Sequence, residues 1–413
     1  MSAEDLPAGA GLTARNPAFR DNPDALYDLL RARDPLYRDA PYGRRVLTRF
    51  EEARAVLRSR EFGVDARKSL PESYMRRVAG TGVAEASAAI AYEPPLVLLD
   101  DPAHRRIRGL MSKAFTPRAV AAMRPSVERL TRDALDALPA NGEIDFIAAY
   151  AGPLPTRVIA AMMGLPDRDW ADLKRWSDAI LMGYDPERDA GVQRRLRESY
   201  LAMSAMFREV LTARRRMPQD DLISAMVRAQ EDSDRLSDLE IISLCTQLLV
   251  AGNVTTTDLM GNGLYALLQH PAELARLRAE PALMPRAIDE ILRYDCPLTE
   301  TARIALTDTV VSGCPIAKGE TLTVALAAAN HDPAAFAEPH RFSLDRDASA
   351  QLGFATGPHV CLGAPLARLE GEIGLQAFIE KFPALALGQQ PPQRRALPFF
   401  RGFESLPVGL GGK

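Results

Sequence analysis

The sequence predicts a mainly α-helical protein with small β-sheets, folded as one large domain over residues 1–413. Three observations point there. Apolar residues recur at helical spacing through most of the chain, the longest such stretch running from Ser237 to about His270. Alternating, β-branched segments are confined to two islands, Tyr37 to Phe50 and Arg303 to Ala328. Prolines and glycines are spread throughout instead of gathering into a linker, and no internal repeat stands out, so the two or three domains suggested by length alone reduce to one.

The elements follow in order. Tyr37 to Phe50 reads as a hairpin turning at Pro41-Tyr42-Gly43, with a helix from Glu51 to Arg58 behind it. Residues from about 64 to 99, containing Gly80, Gly82 and Pro94-Pro95, have little periodicity and read as a long irregular loop, a feature usually functional or disordered. Asp101-Pro102 supplies an N-cap and a first-turn proline for a helix reaching about Phe115. Further helices are predicted over roughly 118–138, 148–163, 168–184, 190–216 and 220–230. Ser237-Asp238-Leu239-Glu240 is a capping box. The pattern behind it, about 32 residues long, makes about 48 Å of helix, with Ala251-Gly252 inside it. Helices Pro271 to Glu280 and Met284 to Tyr294 come next, then strands over Arg303 to Ala328 with a turn from Pro315 to Gly319. A helix from Leu362 to Lys381 and a Pro-rich stretch ending in Leu406-Pro407-Val408 complete the chain.

Composition excludes several classes of function. Lys and Arg number 51 against 54 Asp and Glu, a net charge of −3, which leaves no nucleic-acid footprint and no polybasic membrane patch. Cys245, Cys296, Cys314 and Cys361 are too few and too scattered for a disulfide framework, and no pair forms the CxxC of a structural zinc site. The first twenty residues lack the apolar stretch of a signal peptide. The apolar run Ile241 to Ala251 is broken by Ser, Thr and Gln and is too short to span a bilayer. A cytoplasmic, reducing location is expected, with no membrane or nucleic-acid partner.

Four motifs carry chemistry. Phe354-Ala-Thr-Gly357-Pro-His359-Val-Cys361-Leu-Gly363 immediately precedes a helix, where backbone N–H groups and the dipole favour a thiolate, and its glycines let the backbone approach something flat. Such a thiolate suits a soft or redox-active metal, heme iron included. Glu290-Ile-Leu-Arg293 is an i,i+3 acid–base pair, which in isolation is an ordinary solvated bridge. His104-Arg-Arg-Ile-Arg108 puts His104 and Arg108 on one helix face, suited to clamping an anion. Ala251-Gly252-Asn253-Val254-Thr255-Thr256-Thr257 places poor helix formers in mid-helix, where a Thr hydroxyl can compete for a backbone carbonyl.

Order and spacing unite them. Glu290 follows Thr255 by 35 residues and Cys361 follows Glu290 by 71. In this arrangement the chain resembles the cytochromes P450, specifically the soluble bacterial, ferredoxin-dependent kind, from the hairpin at residue 37 to Leu406-Pro407-Val408. The resemblance implies the P450 fold, a single large domain with heme b held between the long central helix and the Cys-loop helix. It implies Cys361 as the thiolate ligand of the iron and His104, Arg108, Arg303 and His359 as partners of the heme propionates. Phe354, Gly363, Ala251 and Gly252 are also expected at the cofactor, the last two leaving room for oxygen. Thr255 matches the threonine that helps deliver protons to dioxygen. Glu290 and Arg293 match a buried structural pair joined by a residue of Glu338-Pro-His340-Arg341-Phe342, with Arg341 expected.

Two positions depart from the family pattern. Val254 stands where an acid usually precedes the threonine, so proton delivery is expected through water and hydroxyls, with Thr255, Thr256 and Asn253 as candidates. Ala355 replaces a frequent glycine of the Cys-loop and is expected only to tune packing.

The function implied is that of a monooxygenase inserting one oxygen atom from O2 into a small organic molecule, with electrons from a separate ferredoxin and its reductase. Arg105, Arg106 and Lys113 form a candidate basic docking patch for that donor. A peroxide-driven or non-hydroxylating heme-thiolate enzyme is the alternative within the fold, and a non-catalytic heme or ligand-binding protein the alternative outside enzymes. By position, Leu98, Leu181, Leu248, Leu298, Thr299, Phe399 and Phe400 are expected at the substrate, which favours a compact, apolar or aromatic ligand.

Overall fold

The computed structural model describes residues 6–80, 93–231 and 236–411. Leu36–Asp39 and Arg44–Leu47 form the hairpin, reversed through Ala40–Tyr42 with Gly43 at φ 55°. These strands are one edge of a five-stranded sheet ordered 36–39, 44–47, 321–324, 301–305, 62–63, in which only the 44–47/321–324 pair is parallel. One face of the sheet buries Leu36, Leu47, Leu322 and Val324 against Phe50 and Val56 of the helix Phe50–Arg58.

Most of the remaining chain is helical. The central helix, Asp238–Gln269, begins at the capping box: Glu240 N donates to Ser237 Oγ at 3.1 Å, and Ser237 N donates to Glu240 Oε2 at 2.8 Å. By length and composition it could cross a membrane, but it runs through the core, and Leu249, Val254, Leu259 and Leu264 are at most 1% exposed. Around it pack the helices Pro153–Met162, Trp170–Leu181, Ala190–Arg216 and Ala364–Lys381. Contact with the last of these is close. A Cβ at Gly263 would sit 2.9 Å from Leu375 Cδ1, and one at Gly374 would sit 2.9 Å from Met260 Cε, so no larger side chain fits at this crossing without movement.

The structure corrects several element boundaries. The loop from about 64 to 99 contains a helix, Tyr74–Gly80, and short turns at Ala66–Lys68 and Leu96–Leu98, while 81–92, with Gly82, lie outside the described residues. The strand run ends at Val324, and Leu326–Asn330 turns helical because its consecutive alanines favour helix. The helix expected over 148–163 is split into a π-turn, Ile147–Ala151, and Pro153–Met162, since Pro153 has no N–H to continue the ladder. The helix after Asp101 begins at Ala103, with Pro102 as its cap residue.

Glu290 and Arg293, on the helix Met284–Tyr294, are both fully buried and pair through two contacts, at 2.7 Å and 2.9 Å. The third member is Arg346, not Arg341: its Nε lies 3.2 Å from Glu290 Oε1. Arg341 instead offers its main-chain carbonyl to Arg293, at 3.3 Å, and turns its guanidinium outward to Glu338 at 3.2 Å. The chain beyond Phe342 doubles back, with Ser343 N also donating to Glu290 Oε1 at 3.0 Å, and this brings residue 346 where 341 was expected. The remaining Arg293 donors hold the carbonyls of Asn330 and Pro339 at 3.1 and 2.7 Å.

Glu290→Gln leaves the buried Arg293 and the half-buried Arg346 without their shared countercharge. It is expected to destabilise the fold by about 3–5 kcal/mol, read as a lowered denaturant midpoint at unchanged slope.

Candidate active site

A cavity of about 430 Å³ lies between the central helix and the turn preceding the last helix. The central helix supplies Leu248, Ala251, Gly252, Thr255, Thr256 and Leu259, which share one face at the helical period. Asn253 and Val254 fall on the opposite face and are both fully buried. Asn253 is therefore removed from the candidates for the oxygen side: its Nδ2 donates to Leu249 O at 2.9 Å and its Oδ1 has no partner. Thr255 Oγ1 donates to Ala251 O at 2.6 Å, which leaves its lone pairs free to accept from the cavity.

Opposite the helix stands the cysteine turn. Cys361 N donates to Phe354 O at 2.9 Å, closing the loop. Gly357 has φ 78°, and a Cβ there would come within 2.3 Å of Leu57 O, so glycine is required. Ala355 has φ 53°, so the methyl group does more than tune packing: it holds a left-handed backbone at a cost of about 1 kcal/mol. The Cys361 thiol is open to the cavity. Burial by surrounding protein pushes its pKa up, against the Gly363 and Ala364 N–H groups and the charges of Arg108 and Arg368, which pull it down. Phe354 lies beneath Arg368, whose guanidinium carbon is 4.7 Å from the ring centroid.

Four basic side chains converge at one end of the same cavity. His104 and Arg108 come from the helix Ala103–Ser112, Arg303 from the strand Thr301–Ala305, and His359 from the cysteine turn. The His104 and His359 rings are 4.1 Å apart between centroids. Among the described residues His104 Nε2 is buried without a partner. Arg303 is 3% exposed, and among the described residues its guanidinium meets only Ala302 O at 2.8 Å and Thr301 Oγ1 at 3.3 Å. Desolvation lowers all four: Arg303 to about 10, His359, beside Arg303 and His104, to about 3, and His104 and Arg108 below their ordinary values. Among the described residues the cluster meets carboxylates only at its edge, where Asp101 Oδ1 lies 3.6 Å from His104 Nδ1 and Asp100 acts on Arg303 and His359, and a buried basic group so thinly balanced is costly unless anions complete it. The carboxylates of a dianionic porphyrin fit that requirement, and Gly363, with nothing within 4 Å of where its Cβ would be, leaves the thiol side open to a flat ring.

Of the residues expected at the substrate, Leu98, Leu181, Leu248, Leu298, Phe399 and Phe400 line the cavity. Thr299 does not. The chain is extended there, so Leu298 and Glu300 point inward while Thr299 turns to a small neighbouring pocket beside Leu12 and Arg395. Glu300 was not anticipated, although that alternation could have revealed it. Burial raises its pKa, and Arg44, 2.8 Å away, counters this. Arg208, from Ala190–Arg216, whose sequence carried no such signal, and Gln247, next to Leu248 on the central helix, also reach the cavity. In the candidate docking patch, Arg105 pairs with Asp101 at 2.6 Å, Lys113 is exposed, and Arg106 is committed to Glu240 at the start of the central helix.

A cavity with a cysteine sulfur on one wall, a helix groove carrying a threonine on the other and cations for two carboxylates at one end defines a heme-thiolate protein. The chain belongs to the cytochrome P450 family, whose model matches residues 170–403. It is 38% identical over 371 residues to the 6-deoxyerythronolide B hydroxylase of Saccharopolyspora erythraea, covering 89% of this chain and 90% of that one. The structure is similar to that of P450BioI in complex with acyl carrier protein carrying hexadec-9Z-enoic acid, with TM-score 0.86, 34% identity and coverage of 95% and 99%. It is also similar to epothilone D-bound P450epoK, with TM-score 0.89, 30% identity and coverage of 97% and 99%. The protein is a P450 monooxygenase, and the cofactor of its family is heme b.

Arg303→Leu is expected to lower heme retention, because the buried anion loses a charge-assisted partner worth about 1.5–3 kcal/mol. The check is the heme-to-protein ratio after competition with apomyoglobin, where Arg303→Lys should fall between Leu and the wild type.

Proposed function

We propose that this monooxygenase inserts one oxygen atom from O2 into an apolar region of a small organic molecule, with electrons from a separate ferredoxin, and that it acts in the cytoplasm as one domain spanning 1–413. The observation that carries the reading is the facing pair of Cys361 and Thr255 across one largely apolar cavity. When bound, heme supplies the activation of dioxygen, a thiolate ligand promoting O–O cleavage. The residues of the chain do the rest. His104, Arg108, Arg303 and His359 bind the cofactor's carboxylates and fix its orientation. Leu248, Leu298 and Phe400 exclude water and hold the substrate's apolar part beside Thr255. Thr255 donates its hydroxyl hydrogen bond to Ala251 O and is open to accept one from a water in the groove, so protons come by way of solvent rather than from a carboxylate at 254. Val254 is fully buried on the other face, and an acid in its place has no route to the cavity without a shift of the helix.

Thr255→Ala is expected to slow product formation by about 10²-fold while reductant consumption falls less, so product per reductant drops. An unchanged ratio removes Thr255 from proton delivery. The reading as a whole is tested by reducing the heme-loaded protein under carbon monoxide, where thiolate ligation gives the family's red-shifted Soret band, and by comparing turnover supported by ferredoxin with turnover supported by peroxide.

A second reading concerns substrate size. Glu300, Arg208 and Gln247 add polar groups to the cavity besides the basic cluster and the threonines, and two of the similar proteins carry 6-deoxyerythronolide B or epothilone D in their names. These favour a larger, oxygenated substrate over a compact aromatic one. A ligand panel read by the spin-state change of the iron separates them: the compact reading expects aromatic compounds to give the largest shift, and the second expects polyoxygenated ones to do so.

A further inference from the structure

We propose a second metal site, away from the heme cavity, formed by Asp24, His331 and His340 and suited to zinc or a similar borderline divalent ion. The ligating atoms of the three side chains all lie within 4.8 Å of one another. Asp24 comes from the first turn of the helix Pro23–Arg33, His331 from the end of Leu326–Asn330, and His340 from the loop nine residues further on. His331 Nδ1 lies 3.1 Å from Asp24 Oδ1, and His340 Nδ1 lies 3.6 Å from Asp24 Oδ2.

His331 is the observation that points to a ligand. It is 3% exposed and directed at Asp24, yet among the described residues neither ring nitrogen has an aligned hydrogen-bond partner, its approach to Asp24 being close but misaligned for one. A buried unpartnered imidazole is costly, and a cation accepting its lone pair lowers that cost. The other ring nitrogen of His340 is already engaged: Nε2 lies 2.8 Å from Asp28 Oδ2, and Asp28 is held by Arg31 at 2.6 Å. A carboxylate on the far nitrogen fixes the tautomer and leaves Nδ1 as the lone-pair donor, the usual outer arrangement around a histidine metal ligand. Asp28 is thus a positioning residue.

The scaffold is rigid for a reason independent of the cluster. Arg293 hydrogen-bonds the carbonyls of Asn330, Pro339 and Arg341, the residues immediately before His331 and on both sides of His340. One buried guanidinium therefore sets the separation of the two histidines, whose rings stack with centroids 5.2 Å apart. Two imidazoles and a carboxylate are a zinc-type donor set with a fourth position left for water, and the cleft of about 370 Å³ that Asp24 and His331 line gives solvent access to it. The ion would fasten the N-terminal helix to the segment ordered by Arg293.

The test uses the tag-free, heme-loaded full chain, stripped with a chelator and titrated with zinc chloride in a calorimeter, with zinc counted by elemental mass spectrometry. One zinc per chain is expected, with no uptake of magnesium, and a melting temperature raised by zinc. His340→Ala, at a side chain 45% exposed and so outside the core, should abolish stoichiometric uptake and the thermal shift. Asp28→Asn should weaken binding by about 10-fold. No stoichiometric zinc in the wild type, or uptake unchanged in both His340→Ala and Asp24→Asn, overturns the proposal and leaves the cluster as a histidine–aspartate ion-pair network.

Discussion

The position of the reactive sulfur depends on a guanidinium that never approaches it. Arg293 is fully buried, so each of its donors must find an acceptor, and one of them is the Asn330 carbonyl. Asn330 is itself fully buried, and its side chain accepts from Leu352 N at 2.7 Å, at the entrance to the cysteine turn. Two residues later Phe354 O receives the N–H of Cys361. The chain of contacts from Glu290 through Arg293, Asn330 and Phe354 to Cys361 is continuous and has little freedom. A buried ion pair contributes uncertainly to stability, so its value here lies in fixing where the loops on either side of it begin.

The cavity's electrostatics follow a different logic. Around Cys361 the protein supplies two N–H dipoles and the charges of Arg108 and Arg368, whereas towards the propionate end it gathers four basic groups with little to neutralise them. The asymmetry matches a guest that is neutral and soft at its centre and anionic at its rim. It also explains why His359 can lie so close to His104: each is held neutral by burial until an anion makes protonation favourable.

The parts of this structure that could be read from sequence are those governed by local rules. The capping box sets the start of the central helix, Ala190–Arg216 has the limits its periodicity implies, and the cysteine turn has the form its glycines and Cys361 require. What escaped depends on contacts between distant segments. Whether Arg341 or Arg346 completes the buried pair is decided by how the chain doubles back after Phe342, which no local pattern records. Asn253 and Thr299 were misjudged for a simpler reason. Each neighbours residues that line the cavity, and adjacency in sequence places a side chain about 100° away on a helix and on the opposite face of an extended strand. The same arithmetic could have excluded Asn253 and included Glu300.

The basic cluster has one more consequence, which concerns folding. Its members belong to separate parts of the hydrophobic interior: Ile107 and Met111 seat the His104 helix in the large helical core, while Ala302 and Ile304 seat Arg303 in a small cluster beneath the sheet. In the absence of an anion the two guanidiniums, Arg108 from the helical core and Arg303 from the sheet, stay charged on either side of that boundary while the histidines are neutral, so the sheet and the helical core are joined least strongly where the guest belongs. Cofactor binding reverses the sign of that coupling. The bare chain is accordingly a poor candidate for all-or-none unfolding, and the loaded protein a good one, because the two guanidiniums act as a wedge in the first and all four side chains as a rivet in the second.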